Sequence, residues 1–188
     1  DGDTGTNLSM TLSAVLAALD RGPTAHAGEL LTRAADAALD GARGNSGAIL
    51  AQFLLGLADG TSPHATLTTE GLVRAATTGA AYAREAMNEP KEGTLITVLR
   101  AFADALEAAH RRDPEAQIRA TLHEVLPHIR AALAATATQL EANRAAHVVD
   151  AGAQGFVAWL EGLLDYLELS VWDVFMSPRK GGDGLLID

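Results

Sequence analysis

Asp1 and Asp3 stand one glycine apart in Asp1-Gly-Asp-Thr-Gly-Thr-Asn7, a segment without a large apolar residue. Two carboxylates so close on an irregular backbone can converge on one hard cation, and Gly2 and Gly5 permit the tight turn. Mg²⁺ suits such a pair best, because it takes oxygen ligands, keeps several waters and shares its shell with nucleotide phosphates. The alternative is an Asp/Gly turn that caps the helix after it. An EF-hand matches poorly: Gly5 occupies its fifth position and Leu12 its twelfth, where Glu is needed.

Gly41-Ala-Arg-Gly-Asn-Ser-Gly47 has glycines three apart and leads into a helical pattern. Amides exposed at a helix start form an anion site, to which Asn45 and Ser46 add donors. Arg43 adds positive charge suited to a phosphoryl group. The alternative is Ser46 as a plain N-cap, although a cap does not require three glycines. Glu92-Gly-Thr94 and Asp150-Ala-Gly-Ala-Gln-Gly155 again set glycine and polar residues just before a helix.

Other chemistries fit less well. Gly44-Asn-Ser-Gly47 looks like the nucleophile segment of chymotrypsin-like proteases, but strand signals and a suitably placed His are lacking. In His123-Glu124…His128 the histidines are five apart, not the four that put both on one helix face, and Pro127 intervenes. These two, with His26, His64, His110 and His147, are expected at the surface or between helices. Asp104, Glu107, Arg111 and Arg112 are expected on a solvated helix face. Neither Gly-x4-Gly-Lys-Ser/Thr nor a strand followed by Gly-x-Gly-x-x-Gly occurs. A nucleotide would therefore be bound by a helical route.

The elements that must carry these loops are helices. Apolar positions recur at helical spacing over about 7–20, 28–39, 46–58, 69–87, 94–110, 115–142 and 151–168, with a short helix at 170–176. Gly22-Pro23, Gly41 to Gly44, Asp59-Gly60, Pro63, Glu89-Pro90 and Asp113-Pro114 punctuate them. Pro127 predicts a kink or split in the sixth. Ala75, Ala76, Ala80 and Ala83, and Ala131, Ala132 and Ala135, predict faces that let helices approach closely. Ser177 to Gly184 reads as a loop or linker. An all-α antiparallel bundle with short connections follows, with the loops ahead of alternate helices at one end.

Composition agrees. The 188 residues suffice for one domain with a core; 48% are hydrophobic but only 4% aromatic, which favours close-packed helices over sheet. A net charge of -10 argues against general nucleic-acid binding, and the absence of Cys excludes disulfide, thiol and Cys-zinc chemistry. No apolar run approaches a membrane span. The chain opens at Asp1 in mid-motif, which reads as a piece of a longer protein, with the cytoplasm as its expected location.

The four glycine-bearing motifs, in this order and spacing, resemble the nucleotide-binding (DhaL, or DAK2) domain of the dihydroxyacetone kinase superfamily. Within it, the first two motifs look most like the N-terminal kinase domain of the bacterial fatty acid kinases (FakA type). The match covers about residues 1–168 and leaves 169–188 as a C-terminal linker or unplaced segment. The resemblance implies a closed barrel of eight antiparallel helices, the first absent here, with Mg-ATP at one end. It implies that Asp1 and Asp3 hold two Mg²⁺, with a third metal-binding position lying upstream. Gly44, Asn45 and Ser46 correspond to the phosphate loop, Thr94 and Leu95 to a segment beside the adenine, and Asp150 and Gly152 to an Asp-x-Gly near the nucleotide. Asn7 is the family's Asn at the start of the next helix. Thr4 replaces a His of the dihydroxyacetone kinase branch. The implied reaction is phosphoryl transfer from ATP to a fatty acid carboxylate, assisted by Arg43, to give an acyl phosphate. The fatty acid would be presented by a separate carrier protein of the FakB (DegV) type. A dihydroxyacetone kinase nucleotide-binding subunit and a non-catalytic nucleotide- or protein-binding module are the alternatives.

Overall fold

The computed structural model describes residues 3–176 apart from Pro23 and Pro63, with side chains through Glu168. Asp1, Gly2 and the expected linker from Ser177 to Gly184 lie outside the described residues. Among the described residues the chain forms eight helices and no strand: α1 (Thr4–Leu19), α2 (Ala27–Gly41), α3 (Gly44–Thr61), α4 (Thr69–Glu85), α5 (Leu95–Arg112), α6 (Ile118–Gln139), α7 (Glu141–Ala146) and α8 (Ala151–Met176). The expected all-α bundle is present.

Helix α5 shows why the pattern folds this way. Leu95, Val98, Leu99, Phe102, Leu106 and Ala109 recur at three- and four-residue steps and are buried. Asp104, Glu107, Arg111 and Arg112 fall on its exposed side, as the sequence led one to expect. Around the bundle each of the first six helices packs on the next, α6 packs on α8, and α8 returns to α1, so the ring closes. Three of the four phenylalanines meet inside it. Phe53 of α3, Phe102 of α5 and Phe156 of α8 pack edge to face, with centroids 5.6–6.4 Å apart. Such pairs contribute about 0.5–1.5 kcal/mol beyond area burial.

Helices α3 and α4 come closest. A Cβ on Gly56 would lie 2.5 Å from the Gly79 Cα, and one on Gly60 would lie 2.5 Å from the Ala75 Cα. Of the expected Ala75, Ala76, Ala80 and Ala83 face, Ala75, Ala76 and Ala83 are buried and Ala80 is half-buried. The Ala131 stretch does not behave that way: Ala131 is exposed and Ala132 and Ala135 are half-buried.

Of the kink or split expected at Pro127, the split does not occur: α6 runs through it as one helix. Pro127 sits on the exposed side while Leu122, Val125 and Ile129 are buried on the other, so the bond it removes is that of the solvent-facing His123 carbonyl. The break comes instead at Leu140, whose extended backbone separates α6 from the short α7. At the other end, the expected helices 151–168 and 170–176 are one continuous helix, α8.

Among α1 to α6 and α8 the core encloses an apolar cavity of about 430 Å³, lined by residues such as Leu31, Leu57, Leu72, Trp159 and Leu163. Thr61 is its polar lining residue; its hydroxyl is buried and has no hydrogen-bond partner among the described residues. Among the described residues, no helix is long and apolar enough to cross a membrane.

Candidate functional site at one end of the bundle

The site is built where four helices begin. α1 starts earlier than its apolar pattern predicts, because Asp3 already takes the N-cap position and its carbonyl accepts from the Asn7 amide at 2.8 Å. The Asp3 carboxylate does not cap that helix. It accepts instead from Asn7 Nδ2 at 3.1 Å and is exposed, with Thr4 half-buried beside it. Plain capping by Asp3, the alternative to a metal role, is thus not what the side chain does. Its sequence partner Asp1 lies outside the described residues, and among the described residues no three His, Asp or Glu side chains gather.

The second loop reaches α1 through Asn7. Gly44 has φ +61°, a left-handed conformation that glycine adopts without strain, and a Cβ there would lie 2.8 Å from Asn7 Nδ2. Arg43, not Ser46, is the N-cap of α3. Asn45 and Ser46 occupy the first turn, whose amides have no partner within the helix. Arg43 is exposed; its guanidinium donates to the Ala42 carbonyl at 2.9 Å and does not line the neighbouring cavity.

The third and fourth loops meet across Asp150. Its Oδ2 accepts from the Ala153 amide at 2.8 Å, and the carboxylate also takes the amides of Gly152 and of Leu95. It therefore satisfies the starts of α8 and α5 together. Burial pushes its carboxyl above the ordinary Asp range, and the three amides pull it partly back. Gly152 packs directly on Ser46: a Cβ there would lie 2.7 Å from the Ser46 Oγ. The result is a cavity of about 300 Å³ lined by Asn45, Ser46, Thr94, Leu95 and Asp150, with Ile49, Met87, Glu89, Lys91 and Ile96.

Five of the sequence-predicted residues thus share one cavity; Gly152 packs on the lining residue Ser46, and Gly44, next to Asn45, packs on Asn7. Asp3, Thr4 and Arg43 border the same end without lining the cavity. Residues at the starts of α3, α5 and α8 line the cavity, so the positive ends of three helix dipoles lie beside it in a strongly acidic chain.

Sequence reading missed what holds the loops. Thr97 Oγ1 accepts from the Gly93 amide at 2.9 Å and donates to Glu92 at 2.7 Å. Arg100 grips the same Glu92 with bonds of 2.7 and 2.9 Å, which holds its carboxyl below the ordinary Glu range. Thr136 Oγ1 accepts from the Asp150 amide at 2.9 Å, and Asn143 Nδ2 donates to the Gly93 and Thr136 carbonyls, both at 3.2 Å. Thr11 bridges α1 to the second loop. Buried threonines at apolar helix positions were the available signal. The histidines lie apart: His26 caps α2 by accepting from the Glu29 amide, and His123 pairs with Glu168.

Comparison with known proteins agrees with the geometry. The DAK2 domain family model matches residues 1–165. The chain is 31% identical over 187 residues to an uncharacterized protein of Staphylococcus saprophyticus, covering 99% of this chain and 33% of that protein. It is 30% identical over 169 residues to an uncharacterized protein of Staphylococcus aureus, covering 89% of this chain and 30% of that protein. The chain thus spans about a third of the length of the relatives it matches. A chain matched over most of its length, with four loops gathered at one end of a helical ring, belongs to the DAK2 domain family, the nucleotide-binding module of the dihydroxyacetone kinase superfamily.

Proposed function

We propose that this domain binds Mg-ATP in the cavity at the helix starts and transfers the γ-phosphoryl group to a fatty acid carboxylate. The observation that carries the reading is the meeting of Asn45, Ser46, Thr94, Leu95 and Asp150 around one cavity. The donor set suits a triphosphate: first-turn amides of α3 and hydroxyl and amide side chains face it, and no lysine-bearing phosphate loop is needed. Leu95, Ile49 and Ile96 offer an apolar wall for a base, beside Thr94. Asp1 and Asp3 supply hard oxygen ligands one residue apart, the donor type that Mg²⁺ takes. Two Mg²⁺ held there would supply charge neutralisation on the β- and γ-phosphates.

In this reading the Gly44-Asn45-Ser46 turn holds the γ-phosphoryl in line with its acceptor, and Asn7 keeps that turn against α1. Asp150 and Gly152 shape the floor. Arg43, free to swing from its loop carbonyl, meets charge developing on the transferred group. A carboxylate is already a nucleophile, so the absence of a His from the cavity lining costs nothing. The carboxylate oxygen bonds to the γ-phosphorus as the bond from that phosphorus to the β,γ-bridging oxygen breaks, so the products are an acyl phosphate and ADP. The acceptor arrives on a separate fatty-acid-binding carrier of the FakB (DegV) type, which docks at the open end.

Calorimetry of ATP with and without Mg²⁺ tests the nucleotide site; ATP binding indifferent to Mg²⁺, or none, overturns it and favours a non-catalytic module. ATP consumption by the full-length protein with loaded carrier, carrier alone and dihydroxyacetone tests the acceptor. Turnover of dihydroxyacetone, or none with any loaded carrier, overturns the fatty acid assignment and leaves the nucleotide site standing.

A further inference from the structure

Thr11 lies on α1, two turns from Asp3, in a helix with serines at positions 9 and 13. Ser13 shows what a helical hydroxyl ordinarily does: it is exposed and donates to the Ser9 carbonyl at 2.7 Å. Thr11 is different. It is fully buried, at 0% exposure. Its Oγ1 donates to the Asn7 carbonyl at 2.9 Å, with the Gly41 carbonyl a second acceptor at 3.5 Å, and accepts from the Arg43 amide at 3.3 Å. One hydroxyl therefore touches the backbone of the residue that reaches Asp3 and the backbone of the residue that opens the phosphate loop.

The loop side has been cleared to let it in. A Cβ on Gly47 would lie 2.7 Å from Thr11 Oγ1, and one on Gly41 would lie 2.4 Å from the Ala14 Cβ. Two of the three loop glycines thus serve the seam with α1, while Gly44 makes the left-handed turn against Asn7. That accounts for the glycine number which simple capping of α3 left unexplained.

We infer that Thr11 is a positioning residue, setting the distance between the Asp3–Asn7 turn and the Gly44–Ser46 turn so that metal-bound and loop-bound oxygens of one triphosphate coincide. The inference rests on the nucleotide reading above and adds to it a residue outside the cavity. Thr11→Val keeps the shape and removes both the donor and the acceptor; the Arg43 amide loses its partner and the loop loses its fixed distance from α1. The effect falls on phosphates and leaves the base pocket alone.

The test compares wild type, Thr11→Val, Thr11→Ser and Gly47→Ala, with Mg-ATP affinity by calorimetry and adenosine affinity by ligand-observed NMR. Thr11→Val is expected to weaken Mg-ATP about tenfold or more, as loss of one buried bridge implies, with adenosine binding unchanged. Thr11→Ser is expected to stay within about threefold of wild type, since it keeps the hydroxyl. Gly47→Ala, which forces the seam apart from the loop side, is expected to repeat the phosphate-confined loss and covers the case in which Thr11→Val fails to fold. Equal loss for adenosine and Mg-ATP, wild-type Mg-ATP affinity in Thr11→Val, or failure of Thr11→Ser to restore it overturns the role. A wild type that binds no Mg-ATP overturns the nucleotide reading itself, and this role with it.

Discussion

Gly152 and Ser46 stand so close that a Cβ on the glycine would lie 2.7 Å from the serine Oγ and 3.2 Å from Asp150 Oδ2. The start of α8 thus presses on the first turn of α3 with no room for a methyl group. Gly152→Ala is expected to push Ser46 off the cavity rim, cost about 1–3 kcal/mol of stability as overpacked sites do, and weaken Mg-ATP at least about tenfold. Adding Ser46→Ala frees the space, so the double variant regains stability but not affinity. Denaturant titration and calorimetry of all three variants read both effects; additive stability losses would show that the two residues do not press on each other.

Asp3 contributes little to the fold, since it is exposed and its carboxylate bonds only to Asn7 among the contacts described. Asp3→Ala is expected to change stability by about 0.5 kcal/mol or less while abolishing the Mg²⁺-dependent part of ATP binding. Calorimetry at several Mg²⁺ concentrations checks this. An unaltered Mg²⁺ dependence removes Asp3 from the metal site.

Asp150 has a pH signature of its own. Burial raises its carboxyl above the ordinary Asp value in the folded state, so the folded chain holds this proton more tightly than the unfolded one. Its contribution to stability therefore falls as pH climbs from the ordinary Asp value through the raised one, and stays low above it. Asp150→Asn keeps an acceptor for the α8 amides and removes the buried charge. It is expected to melt no lower than wild type at pH 7, with its advantage shrinking as pH falls through the interval, and to bind Mg-ATP less well. Melting curves across pH that run parallel for the two proteins contradict the assignment.

At the far end of α3, the Thr61 hydroxyl is buried against the apolar cavity with no partner among the described residues. Leaving such a group unpaired costs about 1–3 kcal/mol. Thr61→Val replaces it with a methyl group of similar size and is expected to raise the unfolding free energy by about 1 kcal/mol. Equilibrium unfolding in urea decides; a less stable variant shows that the hydroxyl is satisfied in solution.

The helices and the four loops were readable from the sequence because their signals are local. Leu95 to Ala109 repeat at helical spacing, and Gly41 to Gly47 set three glycines and a serine directly before a helical pattern. Where local signals misled, distant packing was the reason. Pro127 continues α6 because its ring faces solvent, and the turn at Thr4 is helical because Asp3 accepts from Asn7 four residues on. What only the tertiary structure decided is which distant groups share a surface. Asp150 takes the amides of Leu95 and Ala153, over fifty residues apart, and Thr11 touches Arg43 across thirty-two positions. Spacing along the chain carries no term for such contacts, since they depend on how seven helices close into a ring. Chemistry was written in residue type and order; its geometry arose when α8 returned to α1.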